Sequence, residues 1–251
     1  MGTDMMVTAT DGARQRRGIL FLVVLAALGL VAVASMLLAP LEDLLPEGVE
    51  LPRAALVAQP AIILLACVLL GWWAAPKVGL DAPVLGALTE RGNWVAPLRA
   101  ALGWGLLGGL VTAAALIAYG LATGPFFAEQ QAGLELPMVT RLLYGGVAEE
   151  IMLRWAALSL LALISLKLGL RLHTAHWVGN AAAALLFAVG HLPALYALVD
   201  PPGWLVAAVI TGNASVGLVC GWLFVRKGLE AAMIAHALAH LFAVPMLVAI
   251  G

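Results

Sequence analysis

The chain has 251 residues, of which 63% are hydrophobic and 11% charged, with a formal net charge of −1 and a mean hydropathy of +1.04. Soluble domains carry roughly 25% charged residues, so a water-soluble fold is excluded, and the lack of a basic cluster leaves nucleic-acid binding without support. Lipid supplies the apolar environment instead, and the simplest organisation is a cytoplasmic N-terminal tail over 1–17 followed by one membrane domain over 18–251.

The tail ends in Arg14, Arg16 and Arg17, directly before the apolar run Gly18 to Ala39. The charge order is that of a signal peptide, but about 22 apolar residues span a bilayer and no A-x-A-like site precedes a polar stretch, so an uncleaved first span is expected. Further spans are expected at 54–75, 98–122, 137–165, 174–198, 203–225 and 228–250, separated by short segments that hold most of the proline and charge. The expected fold class is all-α, a polytopic transmembrane helix bundle of about seven spans.

Arg14, Arg16, Arg17, Lys77, Arg91, Arg99, Lys167, Arg171, Arg226 and Lys227 fall on one side of that bundle. Glu42, Asp43, Glu47, Glu50, Glu129, Glu135 and Asp200 fall on the other, with Arg53 and Arg141 against the trend. The positive-inside rule then places the N-terminus in the cytoplasm and the C-terminus outside, in what is expected to be a bacterial plasma membrane. Cys67 and Cys220 lack C-x-x-C spacing and read as small packing residues. Gly105 with Gly109 and Gly217 with Gly221 read as small-residue contacts between close helices. No internal repeat is present, which argues against a carrier built from repeated halves.

The fourth span holds Leu143-Tyr-Gly-Gly-Val-Ala-Glu-Glu-Ile-Met-Leu-Arg154, two carboxylates and a guanidinium near the middle of an apolar helix. Each such charge costs roughly 2.5 to 3.5 kcal/mol to insert and has to face the bundle interior, find a partner or change protonation state. Glu150 and Arg154, four residues apart, share a helix face and can pair. Glu149, turned about 100° away, faces a different neighbour.

The fifth span places Phe187 and His191 on one face at the same spacing. The seventh carries His236 and His240 one turn apart, a pair able to grip one metal ion or to present two donors to one substrate oxygen, although H-E-x-x-H itself is absent. The plainer reading for each histidine is inter-helix hydrogen bonding. His173 and His176 flank the start of the fifth span, where water is at hand, and are expected to do no chemistry.

Three separate helices that each bring ionisable groups inward point to one site made by Glu149, Glu150, His191, His236 and His240, supported by Arg154 and Phe187. A glutamate in an apolar cavity can take a proton from water and return it to a leaving amine. Histidines opposite it can hold zinc, with Glu150, His191, His236 and His240 as the candidate ligands, or can donate hydrogen bonds to a developing oxyanion. No serine nucleophile competes: G-x-S-x-G is absent, and Ser159, Ser165 and Ser215 have no neighbouring base. Nor is there an intramembrane aspartyl site, because Asp43, Asp81 and Asp200 lie in expected loops.

The ordered set Glu149-Glu150-x-x-x-Arg154, Phe187-x-x-x-His191 and His236-x-x-x-His240 resembles the CAAX-protease and bacteriocin-processing (CPBP) family of intramembrane endopeptidases. The resemblance covers roughly residues 137 to 250 and includes the stretch from Arg226 to His236. It implies that Glu149 activates water, that His191 helps to hold that water or a metal, and that His236 with the residue four later stabilises the oxyanion. Glu150 is then the support tied to Arg154. The chain departs from the family where it has His240, since Asn or Asp is frequent there.

Some members of the family remove the last three residues of prenylated proteins, and others act in bacteriocin immunity or as membrane scaffolds. The expectation is therefore an intramembrane endopeptidase acting on a membrane-associated or lipidated peptide or protein, with membrane lipid as its surroundings. A non-catalytic scaffold or immunity protein is the alternative. Counted from the span ends, His191 lies near the outer face and His236 near the cytoplasmic face, so the helices have to tilt or shift for one site to form.

Overall fold

The computed structural model describes residues 17–45, 51–130 and 136–250. The tail before Arg17, and Glu47, Glu50 and Glu135 among the acidic loop residues, lie outside the described residues.

In chain order the helices are α1 (Ile19–Ala34), α2 (Arg53–Ala74), α3 (Pro83–Thr89), α4 (Val95–Glu129), α5 (Met138–Thr140), α6 (Ser159–Lys167), α7 (Leu172–Gly190), α8 (Leu192–Leu198), α9 (Gly203–Lys227) and α10 (Leu229–Ile250). Two π-helical stretches, Arg141–Glu149 and Ile151–Leu158, join α5 to α6. There is no strand among the described residues, and the chain is an all-α membrane bundle.

Six helices are long and apolar enough to cross a bilayer, namely Ile19–Leu38, Arg53–Val78, Val95–Glu129, Leu172–Leu198, Gly203–Lys227 and Leu229–Ile250. The expected fourth span, 137–165, is not among the six, although it is an unbroken helical run over 138–167. It differs in kind: Arg141, Glu149, Glu150, Arg154 and Lys167 make it too charged to face lipid, so the other helices surround it. Ala148, Glu150, Ile151, Arg154, Trp155 and Leu158 along it are buried. The Trp155 indole donates to the Val68 carbonyl at 3.2 Å and meets the rings of Phe21 and Phe224, which ties the run to α1, α2 and α9. Its π turns are unusual, because i→i+5 bonding generally occurs as single turns and concentrates at functional sites.

Two other boundaries differ from the hydropathy reading. α4 is 35 residues long, which at about 1.5 Å per residue is close to 50 Å, well beyond a hydrocarbon core of about 30 Å. Apolarity marks only its 98–122 part, while the helix continues past it at both ends. The fifth span breaks at His191, with Gly190 closing α7 and Leu192 opening α8. Pro193 has no backbone N–H to continue the helical ladder, so the bonding restarts there.

Small residues let the helices approach as their spacing suggested. Gly105 and Gly109 pack against Ile234 and Leu238 of α10, and Gly217 and Gly221 against Ala184 and Asn180 of α7. The outer faces present Ile19, Ile62, Leu107 and Val248, all largely exposed, which is how a lipid-facing surface differs from a water-facing one.

One end of the bundle gathers Arg17, Asp81, Glu90 and the α9–α10 turn. Arg17 donates to Asp81 Oδ2 and Glu90 Oε2, each at 2.6 Å, and the hydrogen bond to Asp81 lifts its pKa above the ordinary arginine value. Leu229 N–H donates to the Asp81 carbonyl. The other end carries the Arg53–Glu42 pair, in which the guanidinium holds the Glu42 carboxyl below its usual range.

Gly179 of α7 gives a direct test of the packing. A Cβ there would stand 2.8 Å from the Leu158 carbonyl oxygen and 2.9 Å from the Ala162 nitrogen, backbone atoms that cannot rotate away. Gly179→Ala should therefore destabilise the bundle by about 1 to 3 kcal/mol. Gly103→Ala, with nothing within 4 Å of the new methyl group, should leave the thermal unfolding midpoint in detergent unchanged or slightly raised, because alanine is the better helix former.

Candidate active site

The π stretches deliver two adjacent carboxylates to different surroundings. Glu150 is fully buried, and its Oε1 lies 3.1 Å from Arg154 Nη1. The same oxygen accepts a hydrogen bond from His236 Nδ1 at 2.8 Å. Arg154, 1% exposed, donates from Nη2 to the Gly217 carbonyl at 3.0 Å and stacks over the Phe187 ring at 5.0 Å. A buried carboxylate thus receives a guanidinium from its own helix and an imidazole from α10, and the guanidinium is anchored in turn by α9 and α7. With Nδ1–H committed to Glu150, the tautomer of His236 follows, and Nε2 is the nitrogen left for other work.

That nitrogen faces the second carboxylate. Glu149 keeps 18% of its side chain exposed, and its Oε2 lies 3.8 Å from His236 Nε2. The gap is too long for a direct hydrogen bond, but a water oxygen can sit within hydrogen-bond reach of both atoms. The His236 and His240 rings stack at 5.3 Å. Gly145, one turn before Glu149, leaves the space in front of them open: a Cβ there would stand 3.1 Å from His240 Nε2 and 3.5 Å from His236 Nε2.

His191 enters from the end of α7. Its Nδ1–H donates to the Phe187 carbonyl at 2.8 Å, and its ring meets the Phe187 ring edge-on at 4.7 Å. Phe187 also touches the His236 ring at 5.6 Å. The tilt needed for the three motifs to meet is therefore present, with Phe187 as the shared neighbour. His173 and His176 stay apart at the other end of α7.

Sequence reasoning missed three neighbours of this cluster. The Cys220 sulfur lies in a buried group with Glu150 and His236 whose ligand atoms are all within 4.8 Å of one another. The Gly217 carbonyl receives Arg154, and Gly145 shapes the opening. A neutral side chain, a carbonyl and a hydrogen carry no hydropathy signal, and only the Gly217-x-x-x-Gly221 spacing hinted that this face of α9 was pressed against the core.

Fold and site together define an all-α membrane protein with a buried carboxylate–imidazole centre inside the bundle. Residues 131–242 match the family model described as Rce1-like, type II CAAX prenyl endopeptidase Rce1-like. The match covers the three motifs whose order resembles the CPBP/CAAX protease family, from Glu149 to His240. No curated protein and no solved structure matches the chain.

Proposed function

We propose that the chain is an intramembrane endopeptidase that hydrolyses a peptide bond in a prenylated or otherwise membrane-associated protein or peptide. The observation that carries this reading is the 3.8 Å separation of Glu149 Oε2 and His236 Nε2, with the far nitrogen of that imidazole held by Glu150. Glu149 takes a proton from a water lodged between them while the water oxygen attacks the substrate carbonyl carbon. His236, its Nδ1–H directed at Glu150, takes a proton on Nε2 from solvent before the substrate enters and keeps it through the cycle; the buried carboxylate balances that charge while Nε2–H donates to the oxyanion. His240 lies beside it as a second donor, His191 steadies the water, and Glu149 returns its proton to the leaving amine. The family description supports a CAAX-type prenylated substrate, and loop charge supports a cytoplasmic N-terminus.

Zinc chemistry can be tested against the same residues. Glu149, His191, His236 and His240 are donors of the types zinc accepts, but among the described residues the ligand atoms that converge within 4.8 Å of one another are those of Glu150, Cys220 and His236. Glu150 serves better behind His236 than as a ligand, because its Oε1 already faces Arg154 and His236 Nδ1. A divalent cation between Glu150, Cys220 and His236 would stand beside the guanidinium of Arg154.

The scaffold alternative would have every buried group satisfied by a partner. Glu149 instead is partly exposed and has no ion pair shorter than 3.8 Å among the described residues, which favours chemistry at this carboxylate. The test is release of the C-terminal tripeptide from a farnesylated CAAX peptide by the purified protein in micelles, compared with Gly145→Ala. The added methyl group crowds the two Nε2 atoms and should lower turnover by roughly 10- to 100-fold, as a misplacement of about 1 Å does, with the unfolding midpoint little changed. Absence of tripeptide release by the wild-type protein would overturn the reading.

A further inference from the structure

Beside the start of α7 and the end of α9 lies a cavity of about 230 Å³ that the reaction does not use, walled by His173, His176 and Trp177 on one side and Trp222 and Arg226 on the other. The Arg226 side chain is exposed and has no hydrogen bond or ion pair among the described residues. His176 Nε2–H is spent on the Val78 carbonyl. His173 Nε2 accepts from the Trp177 indole, which leaves its Nδ1–H to donate outward. Asn180, 2% exposed, also lines the cavity and gives its Nδ2–H to the Leu218 carbonyl, while its Oδ1 has no donor. No acidic residue is among those lining the cavity. The polar part of this site that faces outward is thus the Arg226 cation with one free N–H donor, His173 Nδ1–H, beside it, a pairing suited to a phosphate monoanion.

A second depression of about 290 Å³ adjoins it, lined by Trp104, Leu107 and Val111 of α4 and by Val219, Trp222 and Leu223 of α9, and it is almost wholly apolar. Trp222 belongs to both. Along α9, Arg226, Trp222 and Val219 descend about one helical turn at a time from the end of the helix toward its middle. The cationic pocket at the end of the bundle and the oily groove between α4 and α9 therefore meet at the Trp222 side chain. A free phosphate would use only the first half of that surface, and a hydrocarbon only the second.

We propose that this paired surface is a binding site for one anionic phospholipid, with the headgroup phosphate at Arg226 and His173 and an acyl chain lying in the α4–α9 groove past Trp222. Basic pockets between transmembrane helices select anionic headgroups by this charge logic. The site is separate from the carboxylate–imidazole centre and stands whether or not that centre hydrolyses peptides.

The test is thermal unfolding of the full chain in neutral detergent, titrated with dioleoylphosphatidylglycerol, dioleoylphosphatidylcholine or inorganic phosphate. A ligand bound only by the folded state raises the midpoint in a saturable way. Phosphatidylglycerol should raise it for the wild type and for Lys167→Gln, an equal loss of charge at the end of α6 but outside the cavity. Arg226→Gln should require roughly fivefold more lipid for the same rise. His173→Gln, which removes an exposed donor at the beginning of α7, gives a second reading should Arg226→Gln fold poorly. The proposal is overturned if both variants respond to phosphatidylglycerol as the wild type does, if phosphatidylcholine gives the same shift, or if inorganic phosphate alone reproduces it.

Discussion

Glu149→Gln is expected to end peptide hydrolysis while leaving the bundle folded. The substitution keeps the shape of the side chain and removes only its ability to take up a proton. A positioned general base contributes roughly 10²- to 10⁴-fold, so kcat for tripeptide release should fall about a thousandfold or more, with KM little changed. Structural damage should be small, because Glu149 is partly exposed and stands 3.8 Å from its nearest ionic partner. Initial rates together with a thermal melt of the same preparation decide the matter. Activity within tenfold of the wild type would remove Glu149 from the base role, and a collapsed melt would favour the scaffold alternative.

The second large effect is on stability. Arg154→Met leaves Glu150 buried beside an imidazole but without its guanidinium, and unpairing a buried ion in this way costs about 3 to 5 kcal/mol. A charge pair 3.1 Å apart is worth roughly 5 kcal/mol at an effective dielectric constant of 20, in the same range. Arg154→Met should therefore unfold at markedly lower denaturant. The double variant Glu150→Gln with Arg154→Met should recover most of the loss, because no lone charge stays in the interior. It should nonetheless remain inactive, since His236 Nδ1 then lacks the carboxylate that orients it and balances its proton. Denaturation in mixed micelles measures the first effect and the peptide assay the second. Equal instability of the single and double variants would show that Arg154 acts by packing on Phe187 rather than by charge.

Much of this was legible in the residues because a bilayer penalises charge so heavily. Glu149, Glu150, Arg154, His236 and His240 stood out as side chains that lipid does not tolerate, and spacing alone paired Glu150 with Arg154. The penalty is silent about partners on other helices. That His236 also binds Glu150 depends on the rotation and depth of α10 against the 138–167 run, quantities that no local pattern encodes. The same blindness applies to Cys220, which is neutral and small. Hydropathy found the places where helices run but not their ends, since α4 continues into residues that are merely compatible with a helix. Pro193 held the clue to the break at His191, and a reading of proline as a helix interrupter would have found it.

The ring of Phe187 touches Arg154, His191 and His236 at once, and those three residues sit on three helices that are synthesised far apart in time. The early motif emerges with its carboxylates, the middle one with the aromatic ring, and the imidazole that faces Glu149 arrives only with α10, last of the contributors. A partly made chain therefore holds an acid without its counterpart. On the proposed function, hydrolytic competence is a property of the completed assembly, and the membrane would meet no half-built protease during biogenesis.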